Sequence, residues 1–162
     1  MRVIAGSVGG MNLFVPKTGL RPTMDRVKAA IFSMLGARVE GARVLDLFAG
    51  TGSLGIEALS RGAGSATFVE VQPAAAGCIR RNLEKARFAG VVEACDVFRF
   101  LDRADGRGDR FDIVFADPPY AKAPGERDFG TELVRSAPLR RVLAEGGVFV
   151  LEQLPGAGPR EG

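Results

Sequence analysis

The tetrapeptide Asp117-Pro118-Pro119-Tyr120 combines two rigid hydrogen-bond acceptors with an aromatic ring. Each proline fixes φ and lacks an N–H, so the Asp117 carboxylate and the Pro118 carbonyl form a fixed row of acceptors. Such acceptors can hold both N–H groups of a planar exocyclic amine and direct its lone pair at a methyl group. Tyr120, the only tyrosine, can stack on a base. We therefore interpret Asp117, Pro118 and Tyr120 as a candidate catalytic group.

A glycine-rich stretch, DLFAGTGSLG at 46–55, forms a second candidate site. Gly50 and Gly52 allow the backbone to approach a ligand closely. Glu70 ends the next strand, where its carboxylate can accept both hydrogen bonds of a ribose diol. These features fit a nicotinamide dinucleotide or an adenosyl cofactor. Asp46, however, would repel a pyrophosphate and suit the sulfonium and ammonium of S-adenosylmethionine, so the stretch predicts S-adenosylmethionine.

Asp96 has two interpretations that do not exclude each other. Its carboxylate can accept a hydrogen bond from an adenine amino group, or it can cap the helix that follows. Phe48, Phe98 and Phe115 are interpreted as core residues rather than cofactor contacts. The chain has no histidine, and its two cysteines lack the spacing of metal ligands, so no metal site is expected.

Alternating strand and helix patterns indicate how these residues are positioned. Such alternation predicts an α/β fold with a mostly parallel sheet and helices on both faces. In such a sheet, ligands bind at the carboxyl ends of the strands. A hairpin through Gly9-Gly10 and a helix capped by Thr23 are expected ahead of it. The predicted strands are 43–48, 66–71, 91–95, 111–117 and 147–153. The main predicted helices are 24–35, 53–62, 73–90, 97–103 and 132–146, the last broken at Pro138.

Composition and charge limit the classes of protein to consider. Hydrophobic residues make up 46% and charged residues 25%, which is ordinary for a globular domain. No apolar run approaches the roughly 18 residues of a membrane helix, and no signal peptide is evident, so a soluble cytoplasmic protein is expected. The sequence leaves the oligomeric state open, with a monomer favoured. The net charge is +3, but residues 1–39 carry six basic residues and one acidic residue. This segment favours a polyanionic partner, with a solvated basic surface as the alternative.

Several motifs in order resemble a known family. DLFAGTG, FVE, CD and DPPY resemble class I methyltransferases that modify exocyclic amines, and RPTMDRVKAAIF resembles the RsmD-type family in particular. That family methylates guanine N2 in 16S ribosomal RNA, using S-adenosylmethionine. The resemblance implies a Rossmann-like fold with 1–40 contacting RNA, 41–153 as the methyltransferase core and 154–162 as a disordered tail. The chain departs from the family in lacking basic residues in the first turn and in lacking the final pair of strands.

The resemblance also implies a role for each candidate residue. The cofactor loop would consist of Asp46, Phe48, Gly50 and Gly52, with Glu70 on the ribose and Asp96 on the adenine. Asp117 and Pro118 would hold the target amine, with Tyr120 beside the base. Arg21 and Arg26 would contact 16S ribosomal RNA, either bare or in a small-subunit assembly intermediate.

Three alternatives remain at this stage. The DPPY motif also suits a DNA methyltransferase acting on adenine N6 or cytosine N4, although the chain has little room for a target-recognition domain. A methyltransferase acting on a protein glutamine amide is disfavoured by the basic N-terminal segment. The third alternative is a catalytically impaired RNA-binding module.

Overall fold

A five-stranded parallel sheet forms the centre of the computed structural model, which describes residues 1–16, 25–119 and 123–152. The strand order is β3-β2-β1-β4-β5, and every neighbouring pair is parallel. The strands are β1 Arg43–Leu47, β2 Ser65–Val69, β3 Val91–Glu93, β4 Phe111–Ala116 and β5 Leu143–Leu151. The predicted parallel α/β architecture is confirmed.

Six helices in the described ranges cover the two faces of this sheet. They are α1 Asp25–Leu35, α2 Ser53–Ser60, α3 Pro73–Ala86, α4 Val97–Arg107, α5 Phe129–Arg135 and α6 Ala137–Val142. The first three share one apolar core with the N-terminal residues, and the last three form a second core on the other face. None of the helices within these ranges is both long and apolar enough to cross a membrane.

Some element boundaries differ from the sequence-based prediction. Helix α4 continues to Arg107 through a stretch predicted as a loop, because its inner face stays buried and Gly108 (φ 77°) ends it. The predicted break at Pro138 is confirmed, since α5 ends at Arg135 and α6 begins at Ala137, with Pro138 in the first turn of α6, where a missing N–H costs nothing. Strand β5 begins at Leu143, four residues before the predicted start, because Leu143 already pairs with Phe111 of β4 ahead of an irregularity in the register.

The N-terminal residues form a small hairpin that docks on α2. One antiparallel bridge joins Arg2 to Asn12. The hairpin turn lies against the end of α2, where the Ser7 N–H donates to the Ser60 carbonyl at 2.8 Å. Gly6 has φ 88°, and a Cβ there would lie 2.0 Å from that same carbonyl. Glycine is therefore required at this contact by both conformation and space.

A buried ion pair fastens this hairpin and α1 to α2. The Lys28 Nζ lies 3.2 Å from a Glu57 carboxylate oxygen, and both side chains are fully buried. The Glu57 carboxylate also accepts the backbone N–H groups of Ile4 and Ala5, at 2.8 and 3.1 Å. The Lys28 ammonium donates to the Arg2 carbonyl at 2.6 Å. Every charge in this cluster thus has a partner, as burial requires.

Candidate cofactor and amine site

The strands of the sheet end level with one another at the edge where the candidate residues lie. Leu47 of β1 pairs with Val69 of β2 and with Ala116 of β4, while Val69 pairs with Glu93 of β3. Strand order reverses at β1, which makes the space above β1 and β4 the usual ligand crevice of such a sheet. The residues that follow these strand ends include Phe48, Glu70 and Asp117.

The glycine-rich loop after β1 has an unusual backbone conformation. Phe48, Gly50 and Gly52 have φ of 53°, 60° and 82°, and such values are rare for a bulky residue such as phenylalanine. Strain of this kind concentrates at functional sites. The third glycine of the motif, Gly55, has a different role, because a Cβ there would lie 2.3 Å from the Phe68 ring. It allows α2 to pack closely on β2.

Glu70 connects this loop to β2. Its side chain is 6% exposed. Oε1 accepts the Gly50 N–H at 2.8 Å and Oε2 accepts the Gln72 N–H at 2.9 Å. Each carboxylate oxygen keeps a further lone pair, so two hydroxyl donors can still be accepted. The predicted ribose residue therefore also supports the loop, a role that the sequence did not indicate.

Asp46 is the centre of an acidic cluster. Its side chain is 2% exposed and accepts the Gly55 N–H at 3.0 Å. Burial raises the pKa of Asp46 well above its ordinary value of 3.8 and outweighs that hydrogen bond, which lowers it. Three nearby carboxylates raise the pKa further, in the order Asp117, Glu70 and Glu152. A ligand that brings positive charge would relieve this repulsion.

Replacing Asp46 by asparagine should reveal its raised pKa, which is due first to burial and then to the neighbouring carboxylates. From pH 3.8 up to its raised pKa, the folded protein holds a proton that the unfolded chain has lost. The unfolding free energy of the free protein should therefore fall as pH rises through this window. Asp46→Asn keeps an acceptor for Gly55 and should remove that part of the fall. Urea unfolding between about pH 4 and about pH 8 measures the unfolding free energy of both proteins. If the two plots of unfolding free energy against pH ran parallel, the prediction would be wrong.

Asp96 caps helix α4. Its Oδ2 accepts the N–H groups of Phe98 and Arg99, at 3.0 and 3.1 Å. The interpretation as a helix cap is therefore confirmed. Both of these bonds use a single carboxylate oxygen, so the predicted contact with an adenine amino group remains compatible with the cap.

Three half-buried phenylalanines and an arginine group together beside this edge. The Phe129 ring lies 5.3 Å from that of Phe48 and 6.3 Å from that of Phe98. The Arg127 guanidinium lies 4.6 Å from the centre of the Phe129 ring. Phe115 is fully buried, as the core interpretation expects, but Phe48 and Phe98 are only half-buried. Phe129 and Arg127 were not among the predicted site residues, and the signal that could have indicated them is their place in the segment that leads from DPPY into α5.

The amine-binding candidates begin directly after β4. The Asp117 N–H donates to the Leu47 carbonyl at 3.4 Å, so the residue still follows the sheet. Pro118 is buried and Asp117 is half-buried. Asp46 pairs with Phe115, two residues before Asp117, and the charge of Asp117 contributes to the raised pKa of Asp46. Tyr120 lies outside the described residues.

Some of the basic residues of the N-terminal segment form ion pairs within the fold. Arg26 is exposed in the first turn of α1, and Arg21 lies outside the described residues. Arg2 pairs with Asp25 at 3.3 Å, and Lys28 is fully buried. The charge count of residues 1–39 therefore overstates what this segment can offer to a polyanion, because the sequence could not reveal these partners.

The sheet order, the loop after β1 and the acidic residues at the strand ends define the Rossmann-like fold of class I methyltransferases. The family model described as "Conserved hypothetical protein 95" matches residues 1–156. The chain belongs to this family, which is the RsmD family, and the resemblance stated from the sequence is thereby confirmed.

Individual relatives agree with this assignment. The Escherichia coli and Haemophilus influenzae proteins named ribosomal RNA small subunit methyltransferase D are 42% and 40% identical over 125 and 126 residues. These alignments cover 75% and 74% of this chain but 61% and 64% of the relatives, so the chain spans less than two thirds of their length. A solved structure of a hypothetical protein from Thermus thermophilus is 34% identical, with a TM-score of 0.79, covering 93% of this chain and 84% of that one.

Proposed function

We propose that this protein transfers a methyl group from S-adenosylmethionine to the N2 amine of a guanine in 16S ribosomal RNA. The observation that carries the proposal is the convergence of acidic residues at one edge of the sheet, with Asp46 buried near the end of β1 and with Glu70 and Asp117 directly after β2 and β4. The names of the two curated relatives support the class of substrate. Such a substrate would place the enzyme in the cytoplasm, acting on bare RNA or on an assembling small subunit.

The residues at the sheet edge fit this cofactor. S-adenosylmethionine supplies a reactive methyl group on a positively charged sulfur. The buried carboxylate of Asp46 would favour that charge, and Glu70 has acceptor capacity for a ribose diol. Gly50 and Gly52 would bring the loop backbone close to the cofactor, with Phe48 held beside it. Asp96 would accept a hydrogen bond from the adenine amino group.

The tetrapeptide after β4 would hold the target amine. The Asp117 carboxylate and the Pro118 carbonyl would accept its two N–H groups and fix the direction of its lone pair. Because Pro118 is buried and the second proline restricts its backbone, these acceptors need no rearrangement when substrate arrives. Tyr120 would stack on the base. Positioning and electrostatics together would then supply most of the catalysis.

Glu70→Ala should weaken the binding of S-adenosylmethionine by roughly 1–3 kcal/mol, the scale of losing hydrogen bonds to a charged group. Calorimetry measures this change directly. Because Glu70 also holds the Gly50 N–H, the ribose contact needs its own control. The unaltered protein should bind a 2′-deoxy cofactor analogue less tightly than the cofactor. Glu70→Ala should bind the analogue and the cofactor equally tightly. If Glu70→Ala still bound the 2′-deoxy analogue less tightly than the cofactor, by as much as the unaltered protein does, the ribose assignment would be wrong.

The decisive experiment is transfer of labelled methyl from S-adenosylmethionine. Small-subunit particles, bare 16S ribosomal RNA, duplex DNA and total protein are offered side by side. Label recovered from 16S ribosomal RNA as N2-methylguanosine is the expected result, and it also shows which form of substrate is used. Label in DNA or protein would overturn the proposal in favour of that substrate. Cofactor binding with no transfer to any substrate would indicate an impaired enzyme.

A further inference from the structure

Helix α3 carries a row of exposed cations that the methyltransferase site does not use. Arg80, Arg81, Lys85 and Arg87, which we call the α3 ridge, lie within eight consecutive residues and are all exposed. No carboxylate of the described residues lies within ion-pair distance of any of them. Several arginines on other elements are neutralised by an acidic partner, as in Arg43, Arg103, Arg107, Arg127 and Arg141. Glu84 is exposed within the same eight residues but forms no ion pair with them, so four cations and one carboxylate give this stretch a local net charge of +3.

A contribution to the stability of α3 explains only some of the four cations of the ridge. Cations at the end of a helix interact favourably with its dipole, which explains Lys85. Arg80 and Arg81 lie in the middle of α3, where that effect has decayed. Arg87 lies just past the helix end with φ 62°, a conformation in which glycine is favoured and a long side chain is strained. An arginine at such a position suggests a purpose other than stability.

The ridge lies between the N-terminal hairpin and the cofactor loop. The Arg81 guanidinium lies 4.0 Å from the centre of the half-buried Phe14 ring, and the Lys85 ammonium donates to the Asn12 carbonyl at 2.8 Å. On the inner side of the same helix, the buried Asn82 amide donates to the carbonyls of Phe14 and Thr51, both at 3.0 Å. A polyanion lying along the exposed side of α3 would therefore contact the N-terminal segment, while the inner side of the same helix holds the glycine-rich loop.

We infer that the α3 ridge binds the phosphate backbone of the RNA substrate, extending the RNA interface beyond the N-terminal segment. This inference rests on the proposed function. RNA is the occupant that the charge favours, because guanidinium groups beside a partly exposed aromatic ring are the usual means of tracking a phosphate backbone. The N-terminal segment alone offers less charge than its composition indicates, since Arg2 and Lys28 are paired within the fold.

A charge-matched pair of variants tests the ridge. Arg80 and Arg87 make no side-chain hydrogen bond in the described part of the chain, so R80Q/R87Q should fold normally. R135Q/R140Q removes the same charge from α5 and α6, on the opposite face of the sheet. Filter binding of a 16S ribosomal RNA transcript is measured at several salt concentrations, with S-adenosylmethionine affinity and thermal unfolding as controls.

R80Q/R87Q should bind the transcript roughly fivefold more weakly near 0.1 M salt, and the slope of log affinity against log salt should fall by about 1.5. R135Q/R140Q should bind as the unaltered protein does. If both variants lost the same transcript affinity, or if R80Q/R87Q lost none, the inference that the α3 ridge binds RNA would be wrong, while the proposed function would stand. If the unaltered protein neither binds nor methylates the transcript or the particle, the proposed function itself fails.

Arg87→Gly distinguishes RNA binding by Arg87 from a purely structural role. Glycine adopts this backbone conformation without strain, so the melting temperature should not fall. RNA affinity should nevertheless decrease, by about two- to threefold for one lost phosphate contact. Unchanged RNA affinity in this variant would contradict a phosphate contact by Arg87.

Discussion

Replacing Asp117 by alanine is expected to reduce methyl transfer by at least about 100-fold, the scale of losing one preorganised group at a reacting centre. The carboxylate follows β4 directly, its backbone is held to Leu47 of β1, and it lies close enough to Asp46 to raise that residue's pKa. Removing it takes away one of the two acceptors proposed for the target amine. The amine would then bind without a fixed lone-pair direction, which positioning effects make costly.

The measurement is the single-turnover rate of transfer to 16S ribosomal RNA with saturating cofactor. S-adenosylmethionine affinity should change by no more than about threefold, since Asp46 itself and its other acidic neighbours remain in place. Asp102→Ala, the same change at an exposed position on α4, is the control and should retain full activity. If Asp117→Ala kept more than about a tenth of the activity, its proposed role would be wrong.

Glu57→Ala is expected to lower the free energy of unfolding by about 3–5 kcal/mol, because it leaves a buried ammonium without its counter-charge. The burial of Lys28 lowers its pKa, while the charge of Glu57 opposes that change. Burial alone would raise the pKa of Glu57, but hydrogen bonds from Ile4 and Arg61 and the charge of Lys28 lower it overall. The carboxylate is thus stabilised as an anion, and its loss affects the hairpin, α1 and α2 together.

Two comparisons identify the cause of that loss. Glu93→Ala breaks a single, exposed contact with Arg103 and should cost no more than about 1 kcal/mol. Lys28→Met combined with Glu57→Ala should be less destabilised than Glu57→Ala alone, since the unpaired buried charge is gone. Urea unfolding gives all three values. A double variant that is less stable than Glu57→Ala would show that the lost hairpin hydrogen bonds, and not the orphaned charge, dominate.

The placement of the candidate site residues could be predicted because it depends on local order along the chain. Alternating strands and helices imply a parallel sheet, and a parallel sheet brings the residues after each strand to one edge. Asp46, Glu70, Asp96 and Asp117 were therefore expected to converge. The structure places them at the level ends of β1 to β4. Their ligand roles remain predictions that the variants above address.

Element boundaries were less predictable because short-range signals compete with tertiary packing. The stretch after Asp102 has the composition of a loop, yet α4 continues because Ala104 and the residues before it pack against the sheet. The end of α3 was predicted near Gly90, but the left-handed residue is Arg87. Propensity is a weak guide wherever buried contacts decide the conformation.

The partners of individual charges depended on the tertiary structure alone. In the sequence Lys28 is one of several cations in a basic segment, but the fold buries it against Glu57, 29 positions away. The α3 cations resemble any solvated helix face until the structure shows four of them together beside the N-terminal segment, while several arginines elsewhere are paired. Composition determines how much charge a chain carries. Only the packing of distant segments determines which charges are neutralised and which remain available to a ligand.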